Sequence, residues 1–194
     1  MLRVLVILPD GFEILEAAAF IDTLGWAHTE GDHPIETVVA GISPELRPTF
    51  GCLTVRPDHQ LTELDLAGFD AVAIPGGFET AGYYDEAFSE PVLHALRTFA
   101  TAGKPVASIC VGALPVARSR ALAGRRATTY HLDGDNRVRQ LAELGADVQR
   151  QDIVEDAGII TSNGPGTAVE VALWLVERLT TAENGARVRR LMGF

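Results

Sequence analysis

The chain has 194 residues, 47% of them hydrophobic and 22% charged, an ordinary globular composition with enough length to bury a substantial core. Its formal charge of −10 argues against nucleic acid and anionic membrane as partners, since both need a basic face to neutralise phosphates. No apolar run reaches the ~18 residues of a membrane span. Two widely spaced cysteines, Cys52 and Cys110, make no secreted disulfide framework, so a reducing cytoplasm is the expected compartment.

In chain order, "RVLVIL" (3–8) reads as a buried strand, and Pro9 and Asp10 cut it too early for a signal peptide. A helix is predicted over 13–25, with Ile14, Ala18, Ile21 and Gly25 on one stripe and Gly25 placed to end it. "ETVVAG" (36–41) is a second strand, followed by a Pro- and Gly-rich stretch to residue 58 that reads as a hairpin or an edge excursion. "DAVAIP" (70–75) precedes a helix over 88–102, and "KPVASI" (104–109) precedes one over 111–119. Then come "ADVQR" (146–150), "DIVED" (152–156) and "GIITS" (158–162), before a helix over roughly 167–181. The tail makes a short amphipathic helix, docked through Val188, Leu191 and Met192. Short apolar strands alternating with helices indicate a mostly parallel sheet covered on both faces. With no repeat or linker, residues 1–194 read as one α/β sandwich.

In such sheets ligands sit beyond the carboxyl ends of the strands. "PVASIC" puts Cys110 there, on a strand-to-helix corner, with the small Gly112 leaving room for close backbone approach. A helix N-terminus lowers a thiol pKa, and free amides beginning with that of Val111 can receive an oxyanion. A buried inert thiol is the competing assignment for Cys110, and it is the one favoured for Cys52, which has no turn or helix start beside it. Other carboxyl-end loops converge on the same place. "PDGFEILE" sets Glu13 and Glu16 in a first helical turn, where acidic residues also serve the helix dipole. Pro75-Gly76-Gly77 can present amides to an anion, although a plain tight turn would look similar. Tyr130 and His131 follow "RRATT", and "NGPGT" turns into the last long helix. His28, His33, His59 and His94 read as surface residues, and no close-spaced ligand pair supports a metal.

Taken in order, "GFEILE", "AIPGGFE", "ASICVGA" and "GIITSNGPGTAVEVAL" resemble the ThiJ/PfpI superfamily over about residues 3 to 180. The resemblance implies a flavodoxin-like three-layer sandwich, a homodimer, no cofactor and Cys110 as the reactive residue. It further implies that Glu16 hydrogen-bonds the sulfur and that Gly77 and Val111 supply oxyanion-hole amides. A carboxylate beside a thiolate raises both pKa values, so the pair works only when it shares one proton. Two departures stand out. The protease-named branch has histidine directly after its cysteine, where this chain has Val111. In deglycase-type members a histidine follows two residues like Thr128 and Thr129, a position held here by Tyr130. Either the loop shifts to bring His131 in, or Tyr130 takes the site. Proton shuttling near neutrality favours His131. With no histidine beyond 131, a glutamine-amidotransferase triad with a C-terminal His-x-Glu is excluded.

Three functions compete. The first is a cofactor-independent enzyme of glyoxalase III or deglycase type in a stress-response role, in which Cys110 attacks a small reactive carbonyl. The second is a redox or electrophile sensor whose Cys110 is oxidised rather than turned over. The third is isonitrile hydration, but that branch resembles a Cys-Thr-Gly elbow with aspartate at the Glu16 position, and both marks are missing.

Overall fold

A computed structural model describes residues 1–132 and 134–194. In chain order the elements are β1 (Leu2–Leu8), α1 (Ile14–Glu30), β2 (Ile35–Gly41), β3 (His59–Gln60), β4 (Ala71–Ile74), α2 (Tyr83–Ala87), α3 (Glu90–Thr101) and β5 (Val106–Ile109). They continue with α4 (Ala113–Arg118), β6 (Arg126–Ala127), α5 (Asn136–Glu143), β7 (Asp147–Val148), β8 (Ile153–Asp156), β9 (Ile159–Ser162), α6 (Ala168–Leu179) and α7 (Ala182–Met192). Seven strands form one sheet in the order β3-β2-β1-β4-β5-β9-β8, parallel except where β8 meets β9. β6 and β7 pair separately.

The inner strands are apolar throughout because both faces of the sheet are covered. Val4 to Ile7, Ala71 to Ile74 and Val106 to Ala107 are all fully buried. α1, α6 and α7 pack against one another, while α3 packs with α4. Right-handed crossovers require this division: β1 to β2 and β4 to β5 move in opposite directions across the sheet, so their helices fall on opposite faces. Order reverses between β1 and β4, and a crevice opens at such a switch point beyond the carboxyl ends of the strands.

Several sequence expectations need correction. α1 continues through Gly25 to Glu30, since Gly31 has an extended φ of −77° and no left-handed turn stops the helix earlier. Its buried face carries Ala17, Phe20, Leu24 and Ala27, with Glu16 and Thr23, rather than the Ile14–Ala18–Ile21–Gly25 stripe; Ile21 is exposed. The tail helix docks through Val188, Asn184 and Gly185, with Met192 packed half-buried against the core as expected, whereas Leu191 faces solvent. Cys52 is exposed, on an excursion that folds back through an isolated Leu46–Val55 bridge before β3 joins the sheet edge. α5 has no counterpart among the sequence-derived elements. Among the described residues no helix is long and apolar enough to cross a membrane.

Candidate active site

Three parallel strands deliver three loops to the switch point. The loop after β1 leads into the first turn of α1 and buries Glu16 completely. The loop after β4 carries Pro75, Gly76 and Gly77. β5 ends directly at Cys110, which begins a three-residue 3-10 turn ahead of α4. Cys110 has φ +57°, a left-handed conformation costing an L-residue ~1–2 kcal/mol. Its surroundings hold it there. Thr129 Oγ1 donates to the Cys110 carbonyl at 3.0 Å. The buried Tyr83 hydroxyl donates to the Pro75 carbonyl at 2.7 Å, fixing the β4 loop from below. Glu13 N donates to Gly76 O at 2.8 Å, tying that loop to the start of α1. The approach is so close that a Cβ on Gly76 would lie 3.0 Å from Cys110 Cβ, and one on Gly77 would lie 2.3 Å from Gly11 O.

Gly76 N donates to Glu16 Oε2 at 2.6 Å. The other oxygen, Oε1, is buried and has no hydrogen-bond partner among the described residues. Glu16 and Cys110 lie near enough to shift one another's protonation without a well-aligned hydrogen bond between them. Burial pushes the Glu16 pKa up to about 8; the Gly76 amide opposes this, and the charge of Glu13 adds to it. Burial also raises the Cys110 thiol, an ionised Glu16 raises it further, and the Val111 amide pulls the other way without outweighing them. This corrects the expectation of a thiol lowered by its position at a helix start: one amide from a short turn is weaker than desolvation. That contribution of Glu16 requires the carboxylate. A protonated Glu16 removes it and can offer the sulfur an O–H donor, so the two groups titrate as a pair.

The loops enclose a cavity of about 470 Å³. Cys110, Glu16, Gly77 and Val111 form its floor, with Glu13, Tyr130 and Pro165 beside them and Phe50, Phe78, Glu79, Asn136 and Arg137 further out. Of the residues singled out in the sequence, Cys110, Glu16, Gly77, Val111 and Tyr130 therefore meet. Gly76 stands behind them, its amide taken by Glu16. His131 is not part of the lining: its Nδ1 lies 2.9 Å from the Thr129 carbonyl and 3.5 Å from Thr128 Oγ1. Thr128 N donates to Thr161 Oγ1 at 2.9 Å, and with the Thr129–Cys110 bond this fixes the register that sends Tyr130 inward. Glu13 makes no side-chain cap bond and faces the cavity instead.

Sequence reasoning missed the outer wall and the supports Tyr83 and Thr129. Arg137 of α5 is held by Glu79 at 2.8 Å and Gln140 at 2.9 Å, with its guanidinium 5.2 Å from the Tyr84 ring centre. Among the described residues no group of three or more His, Cys, Asp or Glu side chains is arranged to hold a metal ion.

The family model described as DJ-1/PfpI family matches residues 2–178. The chain belongs to that family. Protein dj-1beta of Drosophila melanogaster is 30% identical over 187 residues, covering 96% of this chain and 94% of that one. The DJ-1/PfpI likeness extends to solved structures. The crystal structure of Drosophila DJ-1beta superposes with a TM-score of 0.85 at 28% identity, over 98% of this chain and 97% of that one. Oxidized Toxoplasma gondii DJ-1 gives 0.81 at 27%, over 99% and 98%.

Proposed function

We propose that this DJ-1/PfpI protein is a cofactor-independent enzyme that converts small 2-oxoaldehydes to 2-hydroxy acids, in a stress-protective role, with Cys110 as nucleophile. The observation that carries this reading is the buried Glu16 carboxyl beside Cys110, its pKa pushed up to about 8 where a proton can be both given and taken near neutral pH. The Cys110 thiolate adds to the aldehyde carbon of methylglyoxal, and the new oxyanion is met by the amides of Gly77 and Val111. Protonation of that oxygen gives a hemithioacetal. Glu16 removes the proton from this carbon and returns one to the neighbouring carbon, leaving a lactoyl thioester on Cys110. Water cleaves the thioester, so that methylglyoxal and one water yield lactate and the free thiol. Tyr130 lines the same cavity, and its hydroxyl is assigned here to the second oxygen.

Steady-state consumption of methylglyoxal tests this. Cys110→Ala should abolish turnover and Glu16→Gln should lower kcat by ~10²-fold or more, the usual span of a lost proton-transfer group. The reactive one-proton form of the pair appears as its first proton leaves, so alkylation of Cys110 should accelerate as pH rises through about 8. In Glu16→Gln that inflection should move to higher pH. Turnover that survives Cys110→Ala overturns the assignment.

A second reading has its own support in the likeness to an oxidized DJ-1. Two equivalents of peroxide carry a cysteine thiolate through sulfenate to sulfinate, with water leaving at each step. A protonated Glu16 and the Val111 amide are the donors this reading assigns to the sulfinate oxygens. Absence of aldehyde turnover, with a gain of two oxygens confined to Cys110 by intact mass, would favour this sensor role.

A further inference from the structure

We propose that Phe50 and Phe78 form an apolar clamp at the mouth of the Cys110 cavity, selecting 2-oxoaldehydes that carry an aryl or branched alkyl group over methylglyoxal. This rests on the carbonyl reading above and adds the substrate class to it. Both side chains line the cavity, yet they remain 69% and 49% exposed, and their ring centres stand 5.9 Å apart at 53°. Single exposed aromatics need no explanation. Two from separate loops that line one cavity with the nucleophile are different, because an apolar group bound in that cavity can cover ring area that is otherwise left to solvent.

Their positions are built. Phe50 lies on the excursion after β2, which is fastened to the loop after β1. Thr49 N donates to Phe12 O at 2.8 Å, Thr49 Oγ1 to Gly11 O at 2.6 Å and Arg47 N to Asp10 Oδ1 at 2.6 Å. Phe78 directly follows Gly77, so the same loop carries its ring and the Gly77 amide into the cavity lining. Of the other charged groups lining the cavity, Arg137 is already paired with Glu79 at 2.8 Å and Glu13 disfavours an anionic substituent.

Size points the same way. Methylglyoxal has five non-hydrogen atoms and displaces roughly the volume of five waters, ~150 Å³. The cavity holds about 470 Å³, leaving room for a phenyl or branched alkyl group between floor and clamp.

The test compares kcat/KM for phenylglyoxal and methylglyoxal in the wild type, Phe50→Ala, Phe78→Ala and the double variant, using initial rates. Binding of the two product acids, mandelate and lactate, is measured alongside by calorimetry, which needs no turnover. Pocket contacts of this size discriminate by ~10-fold or more. The wild type should favour phenylglyoxal by at least that factor, with the ratio falling towards one in the double variant and mandelate losing its advantage over lactate in parallel. If neither aldehyde is consumed while mandelate still binds more tightly through both rings, the carbonyl reading falls and the clamp stands. Mandelate bound no more tightly than lactate, or held equally well by the double variant, overturns the clamp whatever the rates.

Discussion

Ionising Glu16 goes against the preference of its surroundings, and that has a measurable cost beyond catalysis. Its folded pKa of about 8 lies above the ordinary carboxylate value of ~4.3. Between those values the native state binds more protons than the unfolded chain, so stability falls as pH rises. The contribution is fully present below the unfolded pKa and is lost as pH passes through about 8. Glu16→Gln removes this titration. Its Tm should therefore gain on the wild type progressively from pH 5 to pH 9, reaching several degrees at ~2–4 °C per kcal/mol for a chain of this size. Thermal melts at four or five pH values would show it, and parallel curves would remove Glu16 from the account. At this scale legibility was uneven. Cys110 and Glu16 stood out because a strand end and a first helical turn are positions with their own chemistry. Tyr130 and His131 are consecutive, and which faces inward is decided by bonds from Thr128 and Thr129 to Thr161 and Cys110, remote in sequence. Phe50 and Arg137 reach the cavity only because their loop and helix dock there, and no local pattern marks that.

Among the elements, the β8–β9 hairpin turns through Ala157 and Gly158, with φ of +50° and +80°. Two successive positive φ values are the pattern of a type I′ turn, which favours Asn-Gly. Ala157→Asn should stabilise the protein by ~0.5–1 kcal/mol, read as a Tm rise of ~1–4 °C. An unchanged or lower Tm would show that the strain at Ala157 is already relieved by its neighbours. The strands were legible because burial on both faces leaves uninterrupted apolar runs. Helices were less so. α1 is apolar on several sides, "EAAAFI" offering no clear stripe, and the face read from the sequence was one residue, or about 100°, from the buried one. α5 buries only Leu141 within its span, so periodicity had almost nothing to register. Yet α5 carries Arg137 to the site, which shows how an element with little core can still matter.

Across the whole molecule, the core outweighs the surface. The eight ion pairs among the described residues join partly or largely exposed side chains, and such pairs contribute ~0–1 kcal/mol each. Leu5, fully buried at the centre of β1, is a different case. Leu5→Ala should cost ~2–5 kcal/mol in urea unfolding, with the slope against denaturant unchanged. Arg189→Ala, which breaks the pair with Glu170, should cost about 1 kcal/mol or less by the same measurement. The alternation of apolar strands and helices announced the sandwich because only a covered parallel sheet satisfies that pattern; "ADVQR" announced β7, whereas nothing local announced β6 or the pairing of the two apart from the main sheet. The glycine contacts under the cysteine bear on ancestry as much as on chemistry. A Cβ on Gly77 would lie 2.3 Å from a backbone oxygen and one on Gly76 would crowd three atoms at 3.0 Å, so mutation has few viable moves at these two positions of the β4 loop. The rim residues Phe50, Phe78 and Asn136 lie outside that restriction. Descendants of this chain are free to change diet while inheriting the same jaw.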